Sequence, residues 1–264
     1  FKIVTLTAAL DNLPGLLNRT FTCTGSQDFG GAPVTCLSGR KAHGEMDLRG
    51  AFAQSCNVTF AELSYELGKS NMQSAAENFG FNDNFSFSDI VLYNSSYPED
   101  VASVNELAWS GVGQGRVLVT PLHMAMIASG VANGGVMMEP KLVRQITGAA
   151  GIPRLRTSGG TYKRVMSEAT AQIVGEYMRE TVENGTGKKA RVSGYTVCGK
   201  TGSAETSNDK SVSTNAWFVG YIQDASCPYA VAVVLEQAGS GGDLAATLAA
   251  KCLAEAVELV GGQG

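Results

Sequence analysis

Apolar residues at helical spacing open the chain, and Phe1 to Leu10 reads as a helix. From Leu13 to Gly44 the pattern gives way to Gly, Thr and Ser, the composition of loop. Glu45 to Gln54 reads as helix and stops at Ser55-Cys56-Asn57. Phe60, Leu63 and Leu67 mark one face of a helix over Val58–Leu67, with Gly68 placed to end it, and Asn71 to Phe79 follows as a second short helix. Residues 80–119 show no single period; Gly111, Gly113 and Gly115 mark backbone that bends or lies close to a neighbour. Thr120-Pro121, a capping residue and then proline at the first helical position, starts a helix that runs to about Ala132 and ends at Asn133-Gly134-Gly135. Val136 to Ile146 reads as extended, and Ser167 caps a long helix ending near Asn184-Gly185.

Beyond that point the texture changes. Tyr195–Ser203, Ala216–Ile222 and Tyr229–Glu236 are short runs rich in β-branched and aromatic residues, and the last two flank Asp224-Ala225-Ser226-Cys227-Pro228, the signal of a hairpin. Asp243 opens a final alanine-rich helix to Val260. Strands adjacent in sequence imply an antiparallel sheet covered by helices, an α+β fold. The expectation is one domain over 1–264, with a mainly helical lobe at 1–135 and a sheet-containing lobe at 136–264.

Composition narrows the function. The chain has 264 residues, 44% of them hydrophobic, enough for a sizeable core. The net charge of -4 is spread over both signs, without the basic block or aromatic-basic interleaving of a nucleic-acid binder. No apolar run is long enough to span a bilayer. The six cysteines, Cys23, Cys36, Cys56, Cys198, Cys227 and Cys252, show no CxxC pair of the zinc or redox kind, so neither metal nor cofactor is expected. Cys23 and Cys36 bracket the Gly-, Ser- and Thr-rich loop. Either a disulfide staples it or both stay as thiols, and the two are expected to be close in either case. The other four read as small core or surface residues. His43 and His123 stand isolated, Trp109 and Trp217 read as core, and no paired acidic residues suggest glycosidase chemistry.

Two short motifs carry chemistry. Lys200-Thr201-Gly202 lies at the end of an expected strand, followed by Ser203, and Ser55-Cys56-Asn57 lies at a helix boundary. With Lys2 they fall in the order of the S-x-x-K, S-D-N and K-T-G set of penicillin-binding proteins and class A β-lactamases. The context extends the match. Phe1-Lys2-Ile3-Val4, Ala53-Gln54-Ser55-Cys56-Asn57-Val58, Gly113-Gln114-Gly115 with Thr120-Pro121-Leu122, Gly199–Glu205 and Ala216–Tyr221 all resemble segments of high-molecular-mass penicillin-binding proteins. There are two departures. Cys56 stands at the middle of the second motif, and only Phe1-Lys2 represents the first, so the nucleophilic serine and the residue after it are expected to lie before residue 1.

The resemblance implies a serine D,D-transpeptidase that cross-links peptidoglycan stem peptides ending in D-Ala-D-Ala and is acylated by β-lactams. In that reading Lys2 is the general base, one helical turn from the serine. Burial and the cation Lys200 would lower its pKa. Ser55 relays a proton to the leaving amine, and Asn57 holds Lys2 and a substrate amide. Lys200 and Thr201 receive the substrate carboxylate, Gly202 lets an extended ligand lie close, and Ser203 supplies a backbone oxyanion donor. Work at the outer face of the cytoplasmic membrane, through an anchor elsewhere in the parent protein, is also implied. The same fold would suit a D,D-carboxypeptidase, a penicilloyl serine β-lactamase or an antibiotic sensor. From a different class comes a non-catalytic fragment acting as a scaffold or binding module. The family's five-stranded sheet has its first strands before the serine, so about three strands are expected here, with the missing segment, as a separate chain or an upstream part, pairing on Tyr229–Glu236.

Overall fold

In the computed structural model the described residues are 1–36, 42–87, 90–157, 159–207, 209 and 211–261. The elements run α1 (Lys2–Asn12), β1 (Thr20–Cys23), β2 (Ser26–Gln27), β3 (Val34–Thr35), β4 (Gly44–Asp47), α2 (Leu48–Ala53), α3 (Asn57–Asn78), α4 (Val104–Val112) and α5 (Pro121–Ala132). They continue with β5 (Val136–Met138), β6 (Gln145–Thr147), β7 (Pro153–Arg156), β8 (Thr161–Arg164), α6 (Glu168–Glu183), β9 (Val197–Ala204), β10 (Asn215–Ile222), β11 (Ala230–Leu235) and α7 (Ala246–Gly261).

The main sheet is antiparallel, in the order β11-β10-β9. Its two faces serve two cores. Cys198, Val219 and Tyr221 face a large core with Ile3, Val4 and Leu6 of α1, Ile127 and Val131 of α5 and Val174 and Met178 of α6. Val197, Ala216, Phe218, Ile222 and Val233 face a second core closed by Ala246, Ala249, Leu253 and Val257 of α7. This layering explains the apolar run in β11: Ala230 and Ala232 pack on the first core, Val231, Val233 and Leu235 on the second. Helix α1 is buried from Lys2 to Ala9, so it is the central helix, and only a sequence apolar nearly all round suits that place.

The three strands, their hairpin and the helices capped by Thr120 and Ser167 form as expected, each cap accepting a backbone N–H (from His123 and Thr170). Several expectations need correction. Glu45–Gln54 is half strand: β4 pairs with β1, and Asp47 then caps α2 by accepting from Gly50 N–H. The expected loop at 13–44 carries β1, β2 and β3, and its residues 37–41 lie outside the described residues. Gly68 does not end its helix. With φ 74° it kinks α3, which resumes and runs on to Asn78. Asp243 caps nothing with its side chain; a π-type turn over Gly241–Ala245 leads into α7. Trp109 and Trp217 are half-buried: each packs against a core cluster and also lines a cleft.

Candidate active site

The turn between α2 and α3 holds Ser55. Its N–H donates to Phe52 O at 3.0 Å and the Cys56 N–H to Ala51 O at 2.8 Å, the paired bonds of a Schellman C-cap. Glycine usually fills the left-handed position of that motif, yet here it is Ser55, at φ 56°. A residue held in this less favoured conformation indicates that its side chain is needed. Both Ser55 oxygens turn toward Lys2.

Lys2, in the first turn of α1, is 8% exposed. Its Nζ donates to Asn57 Oδ1 at 2.6 Å and to Ser55 Oγ and Ser55 O, each at 3.1 Å. Three acceptors match three ammonium protons. Asn57 Nδ2 donates in turn to Thr35 O at 2.7 Å, which fixes the amide. Thr5 Oγ1 donates to Gly111 O at 2.7 Å and pins α1 to α4. Gly111 is needed there: a Cβ on it would lie 2.2 Å from Ser64 Cβ of α3.

Across the cleft β9 carries the other motif. Lys200 is buried, donates to Thr201 O at 3.0 Å and sits 5.5 Å from the centre of the Phe52 ring. Thr201 Oγ1 lies 2.6 Å from Thr186 Oγ1. Ser203 O accepts from Gln114 Nε2 at 3.2 Å, and Ser203 Oγ from Gly241 N–H at 3.1 Å. Gly202 pairs across the sheet with Trp217, and a Cβ on it would come 3.2 Å from the Trp217 Cβ. A cleft of about 500 Å³ brings together Lys2, Ser55, Asn57, Lys200, Thr201, Gly202 and Ser203, so every residue singled out from sequence for this chemistry lines it. Among the described residues no strand lies beyond β9, so an extended ligand can run along that edge.

Burial lowers the Lys2 amine to about 8, opposed by the sulfurs of Cys56 and Cys36. Lys200 is held well below its ordinary range by burial first and by repulsion from Lys2 second. Lys200 was expected to be the cation that depresses Lys2. Burial lowers Lys2 as expected, whereas the repulsion between the two lysines is felt at Lys200.

Thr35, Thr186, Gln114 and the two tryptophans were not singled out for this chemistry. Gln114 and Trp217 fall inside the segments that resemble the family, which was the available signal. Thr35 acts through its carbonyl, and Thr186 meets Thr201 only through folding. His123 is a buried core residue, with Ser95 Oγ 2.7 Å from Nδ1 and Phe79 O 2.8 Å from Nε2. His43 is not isolated: its Nδ1 lies 3.4 Å from Cys23 Sγ. Cys23 and Cys36 are close as expected, with sulfurs 3.6 Å apart, and both are free thiols.

A buried amine held by a serine and an asparagine, facing a Lys-Thr-Gly strand, defines the acyl-transfer class marked by these motifs. Residues 1–254 match the penicillin binding protein transpeptidase domain model, and the chain belongs to that family. It is 29% identical to the peptidoglycan D,D-transpeptidase PbpA of Mycolicibacterium smegmatis, over 97% of this chain and 54% of the relative. It is 32% identical to stage V sporulation protein D of Bacillus subtilis, over 84% of this chain and 34% of the relative. The D,D-transpeptidase domain of a peptidoglycan glycosyltransferase from Eggerthella lenta superposes with a TM-score of 0.89 at 32% identity, over 100% of this chain and 65% of that one. Penicillin-binding protein A from M. tuberculosis, as a ceftriaxone acyl-enzyme complex, superposes at 0.88 and 27% identity, over 98% of this chain and 59% of that one. The chain thus spans about half the length, or less, of these curated relatives.

Proposed function

We propose that the protein carrying this chain is a serine D,D-transpeptidase that joins peptidoglycan stem peptides and is acylated by β-lactams. The observation that supports it most is the Lys2 amine, bonded to Ser55 and Asn57 and lowered toward neutrality, in one cleft with Lys200-Thr201-Gly202.

The nucleophile in this reading is a serine three positions before Lys2. Neutral Lys2 takes the hydroxyl proton as the serine oxygen bonds to the carbonyl carbon of the penultimate D-Ala. The oxyanion takes hydrogen bonds from the Ser203 N–H and the serine's own N–H. The C–N bond then breaks, and the proton passes from Lys2 through the Ser55 hydroxyl, 3.1 Å away, to the departing D-Ala nitrogen. An acceptor amine attacks the acyl-serine, its proton returns along the same path, and the serine is released. The terminal carboxylate lies between Lys200 and Thr201. Lys200 has no carboxylate partner among the described residues, so an arriving carboxylate supplies its counter-charge. In a β-lactam the leaving nitrogen stays tethered, and the acyl-enzyme persists.

D-Ala-D-Ala stem peptides as substrate, work at the outer face of the cytoplasmic membrane and an anchor in another part of the parent belong to the same proposal. Among the described residues no helix is long and apolar enough to cross a membrane. Intact mass spectrometry of the full-length protein tests the reading. Benzylpenicillin is expected to add its own whole mass, since ring opening loses no atoms, and Lys2→Ala to abolish the adduct. An unmodified wild-type protein would reject it.

A further inference from the structure

We propose that Cys23, Cys36, His43 and Cys56 form a structural zinc site that fixes the Ser55–Asn57 segment. Three thiols and an imidazole converge, their ligand atoms all within 4.8 Å of one another. The sulfurs of Cys23 and Cys36 are 3.6 Å apart and those of Cys36 and Cys56 3.8 Å, with His43 Nδ1 3.4 Å from Cys23 Sγ. A tetrahedron with Zn–S near 2.3 Å and Zn–N near 2.0 Å has S···S edges of about 3.8 Å and S···N edges of about 3.5 Å. A disulfide, with its sulfurs about 2.05 Å apart, would use two of these groups and leave a thiol and an imidazole aimed at it without purpose.

The surroundings suit thiolate ligands. Gly25 N–H donates to Cys23 Sγ at 3.3 Å. Cys56 Sγ accepts from Thr59 N–H at 3.5 Å and from Thr59 Oγ1 at 3.3 Å. Such bonds to ligand atoms orient them and stabilise their charge. Soft thiolates with imidazole select zinc over magnesium or calcium, and four protein ligands leave no open position, so the site is structural.

The local fold also calls for a staple. Cys23 ends β1, Cys36 follows β3, His43 precedes β4, and Cys56 caps α3. The core beneath these short strands consists of Cys23, Cys36, Ala51, Cys56 and Val58, so sulfur stands where aliphatic side chains would otherwise pack. A metal supplies the stability so small a core lacks. It also reaches the cleft. Cys56 lies between Ser55 and Asn57, and Cys36 follows Thr35, whose carbonyl holds the Asn57 amide. The metal therefore anchors both side chains that hold Lys2.

The test is made on the full-length protein, expressed with zinc and purified without chelator. Because it needs no β-lactam, its result is separate from that of the acylation reading. Elemental analysis is expected to give one zinc per chain, and X-ray absorption three sulfurs at about 2.3 Å and one nitrogen at about 2.0 Å. Cobalt(II) in its place is expected to show the absorption of a tetrahedral thiolate complex. His43→Cys, which keeps four ligands and so guards against a merely unfolded variant, is expected to retain the zinc with four sulfurs around it. Cys23→Ser with Cys36→Ser is expected to hold zinc at least tenfold more weakly against a competing chelator. Full-length protein that after reduction takes up neither zinc nor cobalt, or a Cys23–Cys36 disulfide in the protein as isolated from its own cells, overturns the proposal.

Discussion

At the residue scale the site proposed for acyl transfer is legible in the sequence because that chemistry demands particular side chains in fixed company. Lys2, Ser55, Asn57 and Lys200-Thr201-Gly202-Ser203 were found from short motifs, and folding brings them to one cleft. The supports of those residues were not legible. Thr35 contributes a carbonyl that any residue could supply, and the convergence of His43 with three cysteines has no compact spacing to announce it. Two predictions belong here. Replacing Lys200 with Ala in the full-length protein removes a charged contact to a buried carboxylate, worth about 2–5 kcal/mol, so β-lactam acylation is expected to slow by about thirtyfold to several thousandfold. A stopped-flow rate within a few-fold of wild type would remove Lys200 from its role. The pH dependence follows from Lys2. The base works only when neutral, and its amine is lowered to about 8. Acylation is therefore expected to rise with pH up to about 8, roughly tenfold per unit on the acid side, and level off above it. A fluorescent penicillin read from pH 6 to 10 checks this, and a flat profile would exclude Lys2 as the base.

At the scale of elements, strong caps and apolar runs were readable and weak segments were not. Helix α4 lies in the stretch without a single period, although Ser103 and Glu106 mark its start: Ser103 Oγ accepts from Glu106 N–H and Glu106 reaches back to Ala102 N–H. Strands β6 and β7 are exposed along their length, so burial imposes no alternation on them. The packing of α4 on α3 makes a prediction. Gly111→Ala puts a methyl 2.2 Å from Ser64 Cβ and is expected to cost about 1–3 kcal/mol, read by denaturant melts, with slower acylation because Gly111 O anchors Thr5 of α1. An unchanged midpoint would show that the helices can part freely. Helix α5 makes another. His123 is buried and its pKa falls from 6.5 to about 4. The unfolded chain binds its proton more readily between those values, so stability is lost as pH drops from 6.5 to 4 and no further below, by at most about 3 kcal/mol. Melts of wild type and His123→Gln across that window decide it: the wild type is expected to have the steeper profile, and equal slopes would clear His123 of any part in it.

At the scale of the molecule the sheet has an unequal finish. The outer edge of β9 borders the cleft, where a ligand can pair with it. The outer edge of β11 borders no cleft, and among the described residues no strand pairs with it, although helices cover both its faces. A long apolar strand with an open ladder is a site for unwanted association, which proteins usually block with charge, proline or a bulge. Ala230–Leu235 carries none of these in its sequence, Ala-Val-Ala-Val-Val-Leu, and its register with β10 is unbroken from Ala230 to Leu235. The prediction is that in the full-length protein a strand from another part of the chain pairs along this edge. In an edge strand alternate N–H groups point away from the partner, whereas in an inner strand every N–H is bonded. Residue-resolved hydrogen exchange on the full-length protein distinguishes the two. All six amides from Ala230 to Leu235 are expected to be protected; alternate amides exchanging at loop rates would mean that β11 remains the edge of the sheet.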